Sequence, residues 1–201
     1  MEELGLFPLR IVLVPGERVP LHVFEPRYKE LVGECLAEES VFGLLYEDDE
    51  GMREVGTRAA VEVLRRYPDG RLDVVVEGRQ RFRVVEPTSG RSFRTARVEP
   101  VSDDVDEPGA RERERALRRY RRVAELAGAE ADDLEAADEL SFELAARVEL
   151  PAAAKQDLLE LRSERERLRL VAELLERAAR TLAERRARRD MAQRNGRPPL
   201  R

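Results

Sequence analysis

The stretch Thr57-Arg58-Ala59-Ala60-Val61-Glu62-Val63-Leu64-Arg65-Arg66-Tyr67-Pro68-Asp69-Gly70-Arg71-Leu72-Asp73-Val74-Val75-Val76-Glu77 holds two alternating runs around a turn. Ala59, Val61 and Val63 share one parity before the turn, and Leu72, Val74 and Val76 share one after it. A period of two is that of a strand with one buried face. Pro68 presets φ and Gly70 tolerates positive φ, so Pro68-Asp69-Gly70 joins the strands as a hairpin. Downstream, Gly78 and Arg79 break the run, Phe82 and Val84 resume it, and Phe93 to Val101 alternates again. Upstream, Val41 to Tyr46 reads as a strand and Glu47-Asp48-Asp49-Glu50-Gly51 as an exposed acidic loop. Tyr28, Leu31, Val32, Cys35 and Leu36 follow Pro26 at helical spacing. Val19 to Phe24 and Leu6 to Val12 are short apolar runs separated by the turn signal Pro15-Gly16. Residues 1–105 are therefore expected to form a small, partly closed β-barrel or sandwich with antiparallel pairing and one inserted helix.

The character changes near Asp103. An acidic linker ending in Pro108-Gly109 precedes a helical region. Leu117, Tyr120, Ala124 and Ala127 form one stripe, closed by Gly128, and Leu134, Ala137, Ser141, Leu144 and Val148 form a second. Leu150-Pro151 restarts a helix, and Ser163-Glu164-Arg165-Glu166 has the form of a capping box. The last stripe is Leu168, Val171, Leu175, Ala178 and Leu182. The expectation is an α+β chain: the β-rich domain over 1–105, a bundle of about four helices over 106–184, and a basic, disordered tail over 185–201.

The 201 residues include 42 acidic and 37 basic side chains, one Cys, one His and no Trp. One Cys and one His cannot build a Cys/His zinc site or an intramolecular disulfide. No window of ~18 apolar residues is free of charge, so no membrane span is expected, and the acidic N-terminus does not resemble a signal peptide. A cytoplasmic protein is the expectation. From Arg185 to Arg201 seven Arg face one Asp, which leaves the rest of the chain at −11. Residues 1–105 carry 15 basic and 21 acidic groups, a balance that opposes binding to a phosphate backbone.

Catalytic motifs are missing. No phosphate-binding glycine loop and no GxSxG elbow occurs. His22 lies in an alternating run and reads as a half-buried structural histidine. Cys35 sits on the apolar stripe of a helix and reads as core. Lys155 and Ser163 are separated by a helix break, which disfavours a Ser/Lys dyad. The acidic loop lacks the ligand spacing of an EF-hand.

Several motifs in one order resemble a known family. Leu6-Phe7-Pro8-Leu9, Val14-Pro15-Gly16, Pro20-Leu21 and Phe24-Glu25-Pro26-Arg27-Tyr28 resemble the N-terminal domain of the ATP-dependent Lon protease. So do Phe42-Gly43, Val55-Gly56-Thr57, and Pro68-Asp69-Gly70-Arg71 leading to Val76-Glu77-Gly78-Arg79-Gln80-Arg81-Phe82. Leu150-Pro151, Lys155-Gln156-Asp157-Leu158-Leu159-Glu160 and Glu166-Arg167-Leu168 are similar to the family's later helices. The similarity runs from Leu6 to about Ala183. It implies a PUA-like pseudo-barrel followed by helices. The ATPase and Ser-Lys protease modules that follow in full-length Lon have no counterpart in these residues, so the form resembles stand-alone Lon substrate-binding-domain proteins. The cereblon-type ligand domain, which needs Trp and several Cys, is not implied.

The resemblance implies a non-catalytic module that binds unfolded or tagged polypeptides, with Lon protease itself as a further candidate partner. No cofactor and no metal are expected. An exposed apolar groove or sheet edge would hold the polypeptide, and the candidate groove residues are Phe24, Tyr28, Tyr46, Phe82 and Phe93. Aromatics at such positions are more often core, and Glu25 with Arg27 reads equally as an ion pair at the helix start. Two other classes stay open: an adaptor or weak homo-oligomer acting through the helices, and an RNA-binding PUA-like protein, which the acidic barrel disfavours.

Overall fold

The computed structural model describes residues 1–195. Its elements are β1 (Glu2–Leu9), β2 (Arg18–Val23), α1 (Pro26–Ala37), β3 (Phe42–Asp48), β4 (Gly51–Met52), β5 (Val55–Arg66), β6 (Leu72–Thr88) and β7 (Arg94–Pro100), then α2 (Ala110–Ala127), α3 (Leu140–Ala146), α4 (Ala152–Glu160) and α5 (Glu164–Asn195). The chain divides into two compact units. The first is Met1–Val105 with Phe142–Arg162, and the second is Asp106–Ser141 with the chain from Ser163 onward.

In the first unit the strands run β1-β7-β6-β5-β3, and β3 returns to β1, so five strands close on themselves. The β1–β3 pair is parallel and the other ladders are antiparallel. This is the α+β pseudo-barrel with one inserted helix that the family resemblance implied; the alternation left barrel and sandwich open, and the β1–β3 pair closes the barrel. Alternation decides what is inside. Leu4, Leu6, Leu45, Phe82, Ala96 and Val98 form one apolar cluster. Phe7, Phe42, Leu44, Val74 and Val76 belong to a second, together with Tyr28, Leu31, Val32 and Cys35 of α1. The Phe7 and Tyr28 rings stack at 3.9 Å.

The hairpin forms where Pro68-Asp69-Gly70 predicted it. Gly70 takes φ of 81°, and the Tyr67 N–H donates to the Arg71 carbonyl at 2.9 Å. One expectation fails at Gly78, where β6 runs straight through. Along one edge β6 pairs β2 over Leu72–Glu77 and then β7 over Phe82–Thr88. In the gap the Gly78 N–H donates to Glu17 O, and the Gly16 N–H donates to Gly78 O, both at 2.9 Å. The glycine is required by close approach: a Cβ there would lie 2.1 Å from the Val14 carbonyl oxygen. Gly78→Ala is expected to cost about 1–3 kcal/mol by overpacking. Urea denaturation would show it, and an unchanged midpoint would count against the backbone contact.

Three helix expectations also need correction. The helical pattern places 142–162 in the bundle, but the segment folds with the barrel. Contacts with the barrel's strands and loops hold it there: Lys155 pairs with Glu17, the Gln156 amide donates to the backbone carbonyl of Val55 at 3.1 Å, and Leu158 and Leu159 are buried. The second stripe is helical only over Leu140–Ala146. Before it Asp133 Oδ1 accepts the Glu135 N–H at 3.2 Å, a local turn that competes with helix. The basic tail is helix, not disorder, as far as Asn195, because Arg, Ala, Met and Gln, which make up most of it to that point, all favour that state. The remainder of the predicted tail, 196–201, lies outside the described residues.

In the second unit α2 and α5 pack side by side. Glu112 accepts two bonds from Arg169 at 2.9 and 3.1 Å. Seven residues further along both helices, Arg119 meets Glu176 at 3.0 Å. The two helices therefore run parallel. Gly128 ends α2 in the left-handed conformation. Ser163 caps α5, accepting the Glu166 N–H at 3.1 Å and donating to Asp106 at 2.6 Å.

Candidate functional site

Val23, the last residue of β2, is buried, so alternation turns His22 and Phe24 outward. Asp73 of β6 stands opposite His22 on one side and opposite Arg65 of β5 on the other. Its carboxylate joins both neighbours. The His22 Nδ1–H donates to Oδ1 at 2.6 Å, and the Tyr67 hydroxyl donates to Oδ2 at 2.6 Å. The His22 ring stacks on Phe24 at 6.1 Å and meets Tyr67 edge-on at 5.9 Å. The guanidinium groups of Arg65 and Arg71 lie over the Tyr67 ring at 4.7 and 5.1 Å. Phe24 itself is 59 % exposed. A β-bulge between Val63 and Arg65 puts Leu64 out of the alternation, and it too is 59 % exposed.

The electrostatics follow from Asp73. Hydrogen bonds from His22 and then Tyr67 hold its carboxyl below the usual 3.8. The same bond, helped by desolvation, pushes the Tyr67 phenol above 10.0. The signs are opposite. Asp73's contribution to stability is complete above its unfolded value and is lost as pH falls through its lower folded value. Tyr67's contribution is complete below its unfolded value and is lost as pH rises through its higher folded value. Asp73→Asn is expected to bring the Tyr67 titration back down toward 10.0, read by ultraviolet absorbance against pH. An unmoved Tyr67 titration would mean that the bond does not form.

The five predicted groove residues separate. Tyr28, Phe82 and Phe93 are core: Tyr28 stacks on Phe7, Phe82 is fully buried in the first apolar cluster, and Phe93 is buried in the second. They cannot line an accessible groove. Tyr46 is half-buried with Arg53 at 5.8 Å from its ring centre. Phe24 alone of the five is widely exposed, and His22 and Tyr67 join it instead. Sequence parity held part of this answer, since Phe24 is out of phase with Val23 and Phe82 follows the core register. His22 and Tyr67 come together only because β2 pairs with β6.

Other candidates behave structurally. In the acidic loop Glu47 pairs with Arg94 at 2.7 Å, Asp48 and Glu50 with Arg53 at 3.1 and 2.9 Å, and Asp49 with Arg10. Among the described residues no group of three or more His, Cys, Asp or Glu side chains is placed to hold a metal. Burial pushes the Cys35 thiol up, away from the thiolate. The edge of β2 away from β6 has no strand partner among the described residues. Pro20 sits in the middle of that strand, as proline does where its nitrogen faces an open edge.

The profile of the ATP-dependent protease La (LON) substrate-binding domain matches residues 3–177. The chain belongs to the Lon substrate-binding domain family. It is 30 % identical over 193 residues to Lon protease 2 of Myxococcus xanthus and 31 % identical over 193 residues to the Lon protease of Anaeromyxobacter dehalogenans. Each alignment covers 87 % of this chain and 23 % of the relative, so the chain spans about a quarter of the length of these Lon proteases. The crystal structure of a Lon N-terminal domain protein from Xanthomonas campestris superposes with a TM-score of 0.66 at 29 % identity, covering 84 % of this chain and 96 % of that one. The N-terminal domain of a Mycobacterium avium complex Lon protease shares the fold, with a TM-score of 0.66 at 18 % identity, covering 87 % and 98 %. No helix among the described residues of this Lon-family chain is long and apolar enough to cross a membrane.

Proposed function

We propose that this Lon substrate-binding domain is a non-catalytic polypeptide-binding module of the cytoplasm, and that its contact surface is the outer face around Phe24. The carrying observation is the exposed Phe24 ring beside His22 and Tyr67. Such rings offer a polypeptide rigid apolar area at low entropic cost. Unfolded or tagged segments fit this face because their apolar side chains are accessible. The dyad of His22 and Asp73 meets a phenol held in its neutral form, which suits binding rather than nucleophilic attack. Strand addition on β2 contributes less, since Pro20 interrupts any ladder on the side its nitrogen faces. Side-chain contact at Phe24 therefore carries most of the affinity. Delivery of bound segments to a Lon protease is the corresponding cellular role.

Titration with an unfolded apolar polypeptide, followed by backbone NMR, tests this. Shift changes should gather at 21–24 and 64–73, and Phe24→Ser should weaken binding about tenfold, the loss of one anchor worth more than 1 kcal/mol. No shifts at high micromolar polypeptide with the fold intact would overturn the reading. Shifts confined to other surfaces would overturn the placement of the site.

A further inference from the structure

The first unit holds 18 Lys and Arg side chains and 25 Asp and Glu, a net charge of −7. Fifteen of the 18 cations stand within ion-pair distance of a carboxylate. Among the described residues Lys29, Arg65 and Arg66 are the three of this unit that hold none. An acidic unit does not lack carboxylates to pair with them, so their freedom is set by where they lie.

All three gather round the Pro68-Asp69-Gly70 turn, beside the Phe24 face. Arg65 and Arg66 end β5 and are exposed. The Arg65 guanidinium lies over the Tyr67 ring at 4.7 Å. Lys29 comes from the first turn of α1, and a Cβ on Gly70 would lie 3.5 Å from its Nζ. The nearby acids are already engaged. Glu25 holds Arg27, Asp69 holds Arg71 and Glu62 holds Arg18. Asp73 stands opposite Arg65 in the ladder, yet it gives Oδ1 to His22 and Oδ2 to Tyr67. That second bond fixes the Tyr67 ring, and the ring in turn steadies the Arg65 guanidinium. An exposed aromatic ring thus has uncompensated positive charge at its side.

We propose that the Phe24 face selects polypeptide segments in which a large apolar side chain has acidic residues close to it in sequence. The inference rests on the reading of Phe24 as the polypeptide contact. The apolar side chain covers Phe24, and the carboxylates reach Arg65, Arg66 and Lys29. Steps of 6.1, 5.9 and 4.7 Å lead from Phe24 through His22 and Tyr67 to Arg65. Arg65 is therefore at most about 17 Å from the Phe24 ring, the span of about five residues of extended chain. A guanidinium fork matches a carboxylate. Complementary charge of this kind sets specificity and association rate more than raw affinity, and like charge rejects segments rich in Lys or Arg. A purely apolar segment leaves the three cations without partners, and a purely acidic one leaves Phe24 in water.

The test is fluorescence anisotropy of three labelled, unstructured peptides with the full chain. All carry the same Leu-Phe-Leu core, flanked on both sides by Glu, by Ser or by Lys. The Glu-flanked peptide should bind about five- to tenfold more tightly than the Ser-flanked one, as two or three exposed ion pairs allow, and the Lys-flanked one most weakly. Raising the salt from about 50 mM to about 0.5 M should remove most of that difference. The triple variant K29Q, R65Q, R66Q should bind the Glu- and Ser-flanked peptides alike. The peptide comparison in the parent chain decides the matter even if that variant folds poorly. Equal binding of the Glu- and Ser-flanked peptides to the parent would overturn the acidic preference and leave the Phe24 reading standing. Binding of none of the three would overturn both. Poly-glutamate competing as well as the Glu-flanked peptide would show anion binding without an apolar anchor and overturn the proposal. A preference that survives in the folded triple variant would place the acidic contact elsewhere in the chain and overturn it equally.

Discussion

Arg81→Met is expected to cost the first unit about 3–5 kcal/mol, the range for removing one partner of a buried, hydrogen-bonded charge. Arg81 projects from β6 and is 4 % exposed. Its guanidinium donates to the Leu159 carbonyl at 2.7 Å and the Leu161 carbonyl at 2.8 Å. It also pairs with the Asp103 carboxylate and lies 5.2 Å from the centre of the Phe142 ring. The carbonyls belong to the last turn of α4 and the residue after it, where a helix has acceptors without internal partners. One side chain thus satisfies a helix end, holds the residues after β7 and covers an aromatic ring. Methionine fills much of the volume and supplies none of the donors. Lysine keeps the charge but lacks the planar fork, so Arg81→Lys should fall between the two. Urea denaturation would register the Met variant as a midpoint lowered by about 1.5–2.5 M at a typical slope. A loss below 1 kcal/mol would show that α4 does not depend on this contact.

The second large effect is expected at Arg167, in the other unit. This guanidinium is fully buried. It donates to Glu164 at 2.8 Å and to the Ser141 hydroxyl at 3.1 Å. Glu164 in turn accepts the Ser141 N–H at 2.9 Å and its O–H at 2.6 Å. The network ties the first turns of α5 to the start of α3. Arg167→Met leaves the Glu164 carboxylate buried without its cation, again about 3–5 kcal/mol. A rescue separates charge from packing. Arg167→Met combined with Glu164→Leu removes both charges, and such replacements recover much or all of the lost stability. Hydrogen exchange resolved by segment should place the loss in α2 and α5. If the double variant is no more stable than the single one, the network acts through shape and not through charge.

The alternation of Ala59, Val61 and Val63 and of Leu72, Val74 and Val76, with Gly70 at the turn, is a local property, and the hairpin follows from it. The same holds for α1, whose Tyr28, Leu31, Val32 and Cys35 spacing names its buried face. Gly78 misleads because a glycine in a strand pattern reads as a break, while its cause is the carbonyl of Val14, more than 60 residues earlier. Leu134 and Ala137 keep helical spacing, yet Asp133 gives the backbone a competing turn. Phe24, Phe82 and Phe93 are alike in type. Only their phase against buried neighbours separates an exposed ring from core.

Sequence by itself determined the alternation of burial along the hairpin strands, the hairpin, the helical second half, the family resemblance and the concentration of arginine beyond Glu184. These rest on period, turn chemistry and charge, which are written in neighbouring residues. Tertiary structure decided which unit the segment 142–162 joins, which aromatic is accessible, and which arginines are spent on partners. The physical reason is distance along the chain. Arg81 reaches carbonyls 78 and 80 residues away, and His22 finds its carboxylate 51 residues away. No local pattern carries such pairings, because they exist only once β2, β6 and α4 have packed.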